Sequence, residues 1–95
     1  MRVLLFGGSG FLGKSIVNCF SFDEVSIDTV SRGKKCNYQI DIKSFDDFKK
    51  LPNNYYDVVI NAATVLPGGD YLDNNYLNNI YETNVLGSQN ICKWI

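Results

Sequence analysis

Apolar side chains along this chain fall into short blocks and spaced stripes rather than one long run. The first seven residues hold the continuous block Val3-Leu4-Leu5-Phe6 and stop at Gly7, the pattern of a strand buried on both faces in a parallel sheet. After the glycines, Leu12, Ile16, Val17 and Phe20 recur at helical spacing and predict a helix from about Phe11 to Phe20 with one buried stripe. Asp23-Glu24 break that pattern, and Val25 to Ser31 alternates well enough for a second strand, which completes a strand-helix-strand unit. Arg32-Gly33-Lys34-Lys35 reads as a polar turn and Tyr38-Gln39-Ile40-Asp41 as a short strand. Ser44 and Asp47 have the form of a capping box, opening a short helix whose apolar face is Phe45, Phe48 and Leu51 and which ends before Pro52.

Tyr56 to Asn61 is the clearest strand after the first and runs into the small residues Ala62 and Ala63. Leu66-Pro67-Gly68-Gly69-Asp70 is a loop by composition. From roughly Asn74 to the C-terminus, Leu77, Ile80, Tyr81, Val85, Ser88, Ile91, Cys92 and Ile95 keep a helical period, with no glycine or proline stop signal after it. Right-handed crossovers between such units give an α/β fold: a Rossmann-like, doubly wound parallel sheet of about four strands in the order 3-2-1-4, incomplete at its last strand. A ligand then belongs at the carboxyl ends of the strands, at the break between strands 1 and 4. The fourth strand becomes a flat apolar edge, so marginal stability or self-association through it is expected.

Gly7-Gly8-Ser9-Gly10-Phe11-Leu12-Gly13 lies between the first strand and the first helix, the context a dinucleotide-binding glycine loop requires. Read from Gly8 it matches G-x-G-x-x-G, and read from Gly7 it matches G-x-x-G-x-x-G. Such a loop needs a tight turn, a backbone that a pyrophosphate can approach, and close packing of helix on strand. Backbone N–H groups around Ser9, Gly10, Phe11 and Leu12, at the positive end of the helix dipole, would hold the phosphates. Gly13-Lys14-Ser15 comes too early after the first glycine for a P-loop. At the end of the second strand, where an acid would bind the ribose hydroxyls of NAD, the chain has Ser31 and Arg32, with Lys34 and Lys35 near. A guanidinium without a neighbouring carboxylate suits a 2′-phosphate, so NADP is favoured over NAD. Two alternatives stay open: a solvated basic turn, and Asp28 as the ribose acid if the strand ends early.

The chain has 95 residues, nine basic and ten acidic side chains and no histidine, with a net charge of −1. That balance gives no electrostatic reason to expect nucleic acid or an anionic membrane as a partner. No apolar run approaches the ~20 residues of a bilayer span, and the N-terminus lacks the regions of a secretory signal, so a cytoplasmic protein is expected. Cys19, Cys36 and Cys92 fit neither a disulfide framework nor a zinc site and read as reduced thiols; no metal site is expected.

Four features in order resemble the extended short-chain dehydrogenase/reductase family of the epimerase/dehydratase type. They are the glycine loop, Asp41-Ile42 after the third strand, Asp57-Val58-Val59-Ile60-Asn61-Ala62-Ala63 at the fourth, and Glu82-Thr83-Asn84-Val85-Leu86-Gly87-Ser88-Gln89-Asn90-Ile91 in the following helix. The resemblance implies that Asp41 accepts a hydrogen bond from the adenine amino group with Ile42 beside the ring. It also implies that Ala62 and Ala63 are small because the cofactor passes over the strand end. Asn84 shares a helix face with Leu77, Tyr81, Val85 and Ser88, so its amide must find partners, either to order the active-site region, as in the family, or purely structurally.

Members of the family it resembles place catalysis on a Ser or Thr at the end of the fifth strand and on a Tyr-x-x-x-Lys helix beyond it. None of the six tyrosines here is followed four residues later by lysine, and no catalytic residue is assigned within the chain. The expectation is therefore that residues 1–95 are the N-terminal portion of an NAD(P)-binding domain, inactive alone, with the catalytic and substrate-binding parts elsewhere. The intact parent would be an epimerase, dehydratase or reductase acting on a nucleotide-activated sugar or related carbonyl. A non-catalytic dinucleotide-binding or redox-sensing module and an inactive truncated fragment are the alternatives.

Overall fold

A computed structural model describes residues 1–20, 24–65, 69–70 and 72–95. Asp23 of the expected break and Leu66-Pro67-Gly68 of the expected loop lie outside the described residues. Four parallel strands, β1 (Arg2–Phe6), β2 (Ser26–Ser31), β3 (Tyr38–Gln39) and β4 (Val58–Asn61), form one sheet in the order β3-β2-β1-β4. The strand order expected from right-handed crossovers is the one observed. Val3, Leu4, Leu5 and Phe6 are each at most 2% exposed, because β1 is central and covered on both faces. Register pairs Phe6 with both Val30 and Asn61, so the carboxyl ends of the three longer strands finish level on one edge. Among the described residues no helix is long and apolar enough to cross a membrane.

One face of the sheet carries the core: Leu4, Phe6, Val30, Ile40, Ile42, Phe48, Leu51 and Ile91, with Tyr38, Tyr56, Val59, Ala63 and Trp94 packed against it. Helix α1 (Phe11–Cys19) departs from its expected stripe: Ile16, Val17 and Phe20 are half-buried, but Leu12 is 59% exposed. Gly13 takes the buried seat in the first turn, against the backbone of Gly7, and Leu12 is turned away from it. The segment Phe45–Lys50 winds as a 3-10 helix with Ser44 at its N-cap, but the reciprocal capping box does not form. A turn with Ser44 N–H on the Asp41 carbonyl at 2.9 Å brings the Asp41 N–H, not that of Ser44, to the Asp47 carboxylate at 3.1 Å.

The last helical region is continuous but not uniform. Helix α2 (Asn74–Tyr81) passes through a wide π-type turn, Glu82–Gly87, into α3 (Ser88–Trp94). Its expected apolar stripe is only partly inward: Ile91 is buried, whereas Leu77, Tyr81, Val85 and Ile95 are 41%, 55%, 42% and 74% exposed and Cys92 is exposed. Ile80 and Ser88 of the stripe are half-buried as expected, and Thr83, Asn84, Gly87 and Trp94 join Ile91 on the inward face. Gly87 sets this phase, since a Cβ there would lie 2.5 Å from Ile42 Cδ1, and the wide turn adds a residue that a single helical period does not count.

Asp28 lies mid-strand, and its Oδ2 accepts a 2.6 Å hydrogen bond from the Tyr56 hydroxyl. β2 runs on to Ser31, so the early strand end at which Asp28 would be the ribose acid does not occur. Burial, and then the Asp28 hydrogen bond, push the Tyr56 hydroxyl well above the ordinary tyrosine range. A raised value in the folded state stabilises the protein fully below the unfolded-state value of about 10 and progressively less above it. Denaturant unfolding between pH 8 and 11 should therefore show stability falling above about pH 10, with Tyr56→Phe giving a flatter profile; equal slopes in the two proteins would refute this assignment.

Candidate functional site

The loop after β1 is shaped by what no side chain could occupy. Gly7 has φ +83°, and a Cβ on it would lie 2.6 Å from the Ala62 carbonyl carbon and the Ala63 nitrogen. A Cβ on Gly13 would lie 2.1 Å from the Gly7 carbonyl oxygen, so α1 is seated backbone to backbone on the loop. The Gly7 N–H donates to the Val30 carbonyl at 2.8 Å and the Gly10 N–H to the Gly7 carbonyl at 3.1 Å. Gly10 is the N-cap of α1 and offers no side-chain cap, which leaves first-turn N–H groups available to an anion.

A cleft of about 180 Å³ opens at the carboxyl ends of the strands. Gly7 and Ser9 line it from the glycine loop, Val30, Ser31 and Arg32 from the end of β2, and Ile40, Asp41 and Ile42 from beyond β3. Ala62, Ala63, Thr64 and Val65 close it beyond β4, with Thr83 from the wide turn. Gly7, Ser9, Ser31, Arg32, Asp41, Ile42, Ala62 and Ala63, all expected from the sequence, are thus brought together. Gly10, Phe11, Leu12 and Gly13 do not line the cleft; they form the far half of the loop and the first turn of α1. Sequence reasoning missed Val30, Ile40, Thr64, Val65 and Thr83 as wall residues. Thr83 had a signal, its place directly before Asn84 in the helix motif.

Asp41 and Ile42 are pinned from several sides. Asp41 Oδ1 accepts from the Lys43 N–H at 3.0 Å, while Oδ2 makes no hydrogen bond to the described residues and is the carboxylate oxygen left for a ligand donor. Asn90 Nδ2 donates to the Ile42 carbonyl at 2.8 Å, and Gly87 lets the helix rest on the Ile42 side chain. At the end of β2, Ser31 Oγ accepts from the Gly33 N–H at 3.2 Å. Arg32 is exposed at the cleft's rim, and its guanidinium makes no ion pair with a carboxylate among the described residues.

Asn84 stands behind the cleft wall rather than in it. Its Oδ1 accepts from the Val65 N–H at 2.8 Å and the Thr64 hydroxyl at 3.0 Å, and its Nδ2 donates to the Val65 carbonyl at 3.3 Å. One amide thus satisfies both backbone groups of Val65, as a neighbouring strand would. Ser88 extends the clasp: its hydroxyl donates to the Asn84 carbonyl at 2.8 Å and accepts from Asn61 Nδ2 at 3.1 Å. The arrangement can hold a flat, phosphorylated ligand, with backbone donors at one end, a carboxylate at another and small side chains between.

A profile described as the NAD dependent epimerase/dehydratase family matches residues 3–95. No curated protein sequence matches the chain. Human epimerase family protein SDR39U1 (isoform 2), solved with NADPH, is 21% identical with a TM-score of 0.79, over 100% of this chain and 32% of that one. A thiolation-reductase di-domain from an archaeal non-ribosomal peptide synthetase is 27% identical with a TM-score of 0.76, over 98% of this chain and 31% of that one. The UDP-glucose 4-epimerase of Thermus thermophilus, solved in complex with NAD, is 20% identical with a TM-score of 0.73, over 98% of this chain and 33% of that one. The chain spans about a third of the length of each of these structures.

Proposed function

The chain belongs to the NAD dependent epimerase/dehydratase family, and from that premise we propose that it is the dinucleotide-holding portion of an NAD(P)-dependent epimerase, dehydratase or reductase. The carrying observation is the convergence of Gly7, Ser9, Ser31, Arg32, Asp41, Ile42, Ala62 and Ala63 on one cleft at the strand ends. The fit to a dinucleotide rests on the open space above Gly10, where an added Cβ has no neighbour closer than 3.5 Å, and on the unengaged Asp41 Oδ2. When bound, the nicotinamide supplies a hydride donor or acceptor for a carbon of the substrate. This chain's own residues bind and orient. The backbone from Ser9 to Leu12, on the turn that Gly7 and Gly13 permit, receives the pyrophosphate. Asp41 and Ile42 receive the adenine, and Ala62 and Ala63 leave room for the ligand to cross β4. Asn84 keeps the Thr64-Val65 wall in place. The substrate we assign to the intact parent is a nucleotide-activated sugar or related carbonyl compound, with its proton-transfer pair and substrate-binding part outside residues 1–95.

Ser31 and Arg32 favour NADP. Titration of the chain with NADPH and NADH should show NADPH tighter by about tenfold or more, the scale of a charge-assisted contact. Equal or tighter NADH binding defeats the 2′-phosphate reading, and binding of neither defeats the dinucleotide reading. The same proposal includes self-association along β4, an edge strand whose Val58 is 37% exposed. Sedimentation should show average mass rising with concentration; a monomer throughout would exclude it.

A further inference from the structure

Arg32 sits on the rim between two spaces. One is the cleft already described, and the other is an outer polar recess of about 240 Å³ lined by Arg32, Gln39, Asp41, Asp47 and Lys50. Arg32 lies just past the end of β2, in a turn rather than in the ladder, so nothing in strand pairing fixes its backbone. Gln39 does. Its Nε2 donates to the Arg32 carbonyl at 2.9 Å. Gln39 itself is held twice: it pairs with Ser31 in the sheet, and its carbonyl accepts from Lys50 Nζ at 2.9 Å.

We infer that Gln39 is a specificity-positioning residue, tying the Arg32 backbone so that the guanidinium is presented to a 2′-phosphate. The inference rests on the proposal that Arg32 reads that phosphate. The Gly33 N–H on Ser31 Oγ holds the turn on either side of Arg32, and the Gln39 amide on the Arg32 carbonyl removes further backbone freedom that the arginine would otherwise lose on engaging a ligand. Gln39 is exposed and does not line the inner cleft, so it has no direct means of affecting a ligand without the extra phosphate.

Titration calorimetry of the full chain with adenosine 2′,5′-bisphosphate and adenosine 5′-monophosphate separates these effects. Gln39→Met keeps the side-chain length without the donor and should lower the preference for the bisphosphate about 2- to 10-fold, leaving monophosphate affinity unchanged. Gln39→Ala should do the same. Arg32→Met should abolish the preference, and the Arg32→Met/Gln39→Met double variant should fall no further, because both act through one contact. Preference retained in both Gln39 variants but lost in Arg32→Met overturns the inference, as does an equal loss for both ligands in the Gln39 variants. Preference retained in Arg32→Met instead overturns the underlying reading of Arg32.

Discussion

Gly13→Ala is expected to destabilise the folded chain by about 3 kcal/mol or more, a large part of the ~5–15 kcal/mol that holds a domain together. Gly13 is in α1, where alanine is otherwise favoured over glycine by up to about 1 kcal/mol. That gain cannot offset the contact. The new Cβ would lie 2.1 Å from the Gly7 carbonyl oxygen and 2.8 Å from Gly8 Cα, both backbone atoms, and Gly7 is itself bonded to Val30 and Gly10. Relief would require moving α1 off the sheet or breaking the loop. Gly10→Ala should behave oppositely. Gly10 has φ −77°, and an added Cβ would be no closer than 3.5 Å to any atom, so its cost is the loss of a glycine N-cap, about 1 kcal/mol or less. If the proposed dinucleotide site is right, the same Cβ stands in the approach of the pyrophosphate and should weaken NADPH binding about tenfold or more. Denaturant unfolding and NADPH titration of both variants check the pair. A Gly13→Ala protein that unfolds like the parent, or a Gly10→Ala protein that binds like it, would show that the loop's packing and binding roles are not divided this way.

Much of the fold can be read from the sequence because its strongest signals are local. The block Val3-Leu4-Leu5-Phe6, short and stopped by glycine, has the pattern of a strand covered on both sides, and right-handed crossovers about a central β1 are met by the observed order β3-β2-β1-β4. The cleft is legible for a related reason: parallel strands that end level bring Gly7, Ser31 and Ala62 together whatever the helices do. The helix faces are not legible. Leu77, Tyr81 and Val85 have the right period but the wrong phase, and the phase is set by a tertiary contact, Gly87 on Ile42, between residues distant in sequence. Asp28 shows the same limit, since only the fold runs β2 on to Ser31 and brings Tyr56 to the Asp28 carboxylate. Asp47 does reach back along the chain, as its spacing from Ser44 implies, yet its partner is the Asp41 N–H, because the turn before the helix moves that donor into reach.

Phe48→Ala should have the second large effect, about 3–5 kcal/mol of stability. The Phe48 ring is 3% exposed and packs against Phe6 at 5.8 Å, Phe45 at 5.6 Å and Trp94 at 6.4 Å between ring centroids. It projects from a 3-10 helix of six residues, too short to persist without tertiary contacts. Its removal should therefore release the segment as well as open a cavity. Asp47, which holds the Asp41 N–H, belongs to that segment. Binding of adenosine 5′-monophosphate should consequently weaken even under conditions where the variant remains folded. Phe45→Ala is the control, because Phe45 is in the same helix but 47% exposed, and it should cost about 1 kcal/mol or less. Equal losses in the two variants would mean that the helix is held by its surface rather than by its ring in the core. A Phe48→Ala protein that lost stability but kept nucleotide affinity would mean that the Lys43 N–H on Asp41 and the Asn90 amide on the Ile42 carbonyl fix that segment well enough without the 3-10 helix.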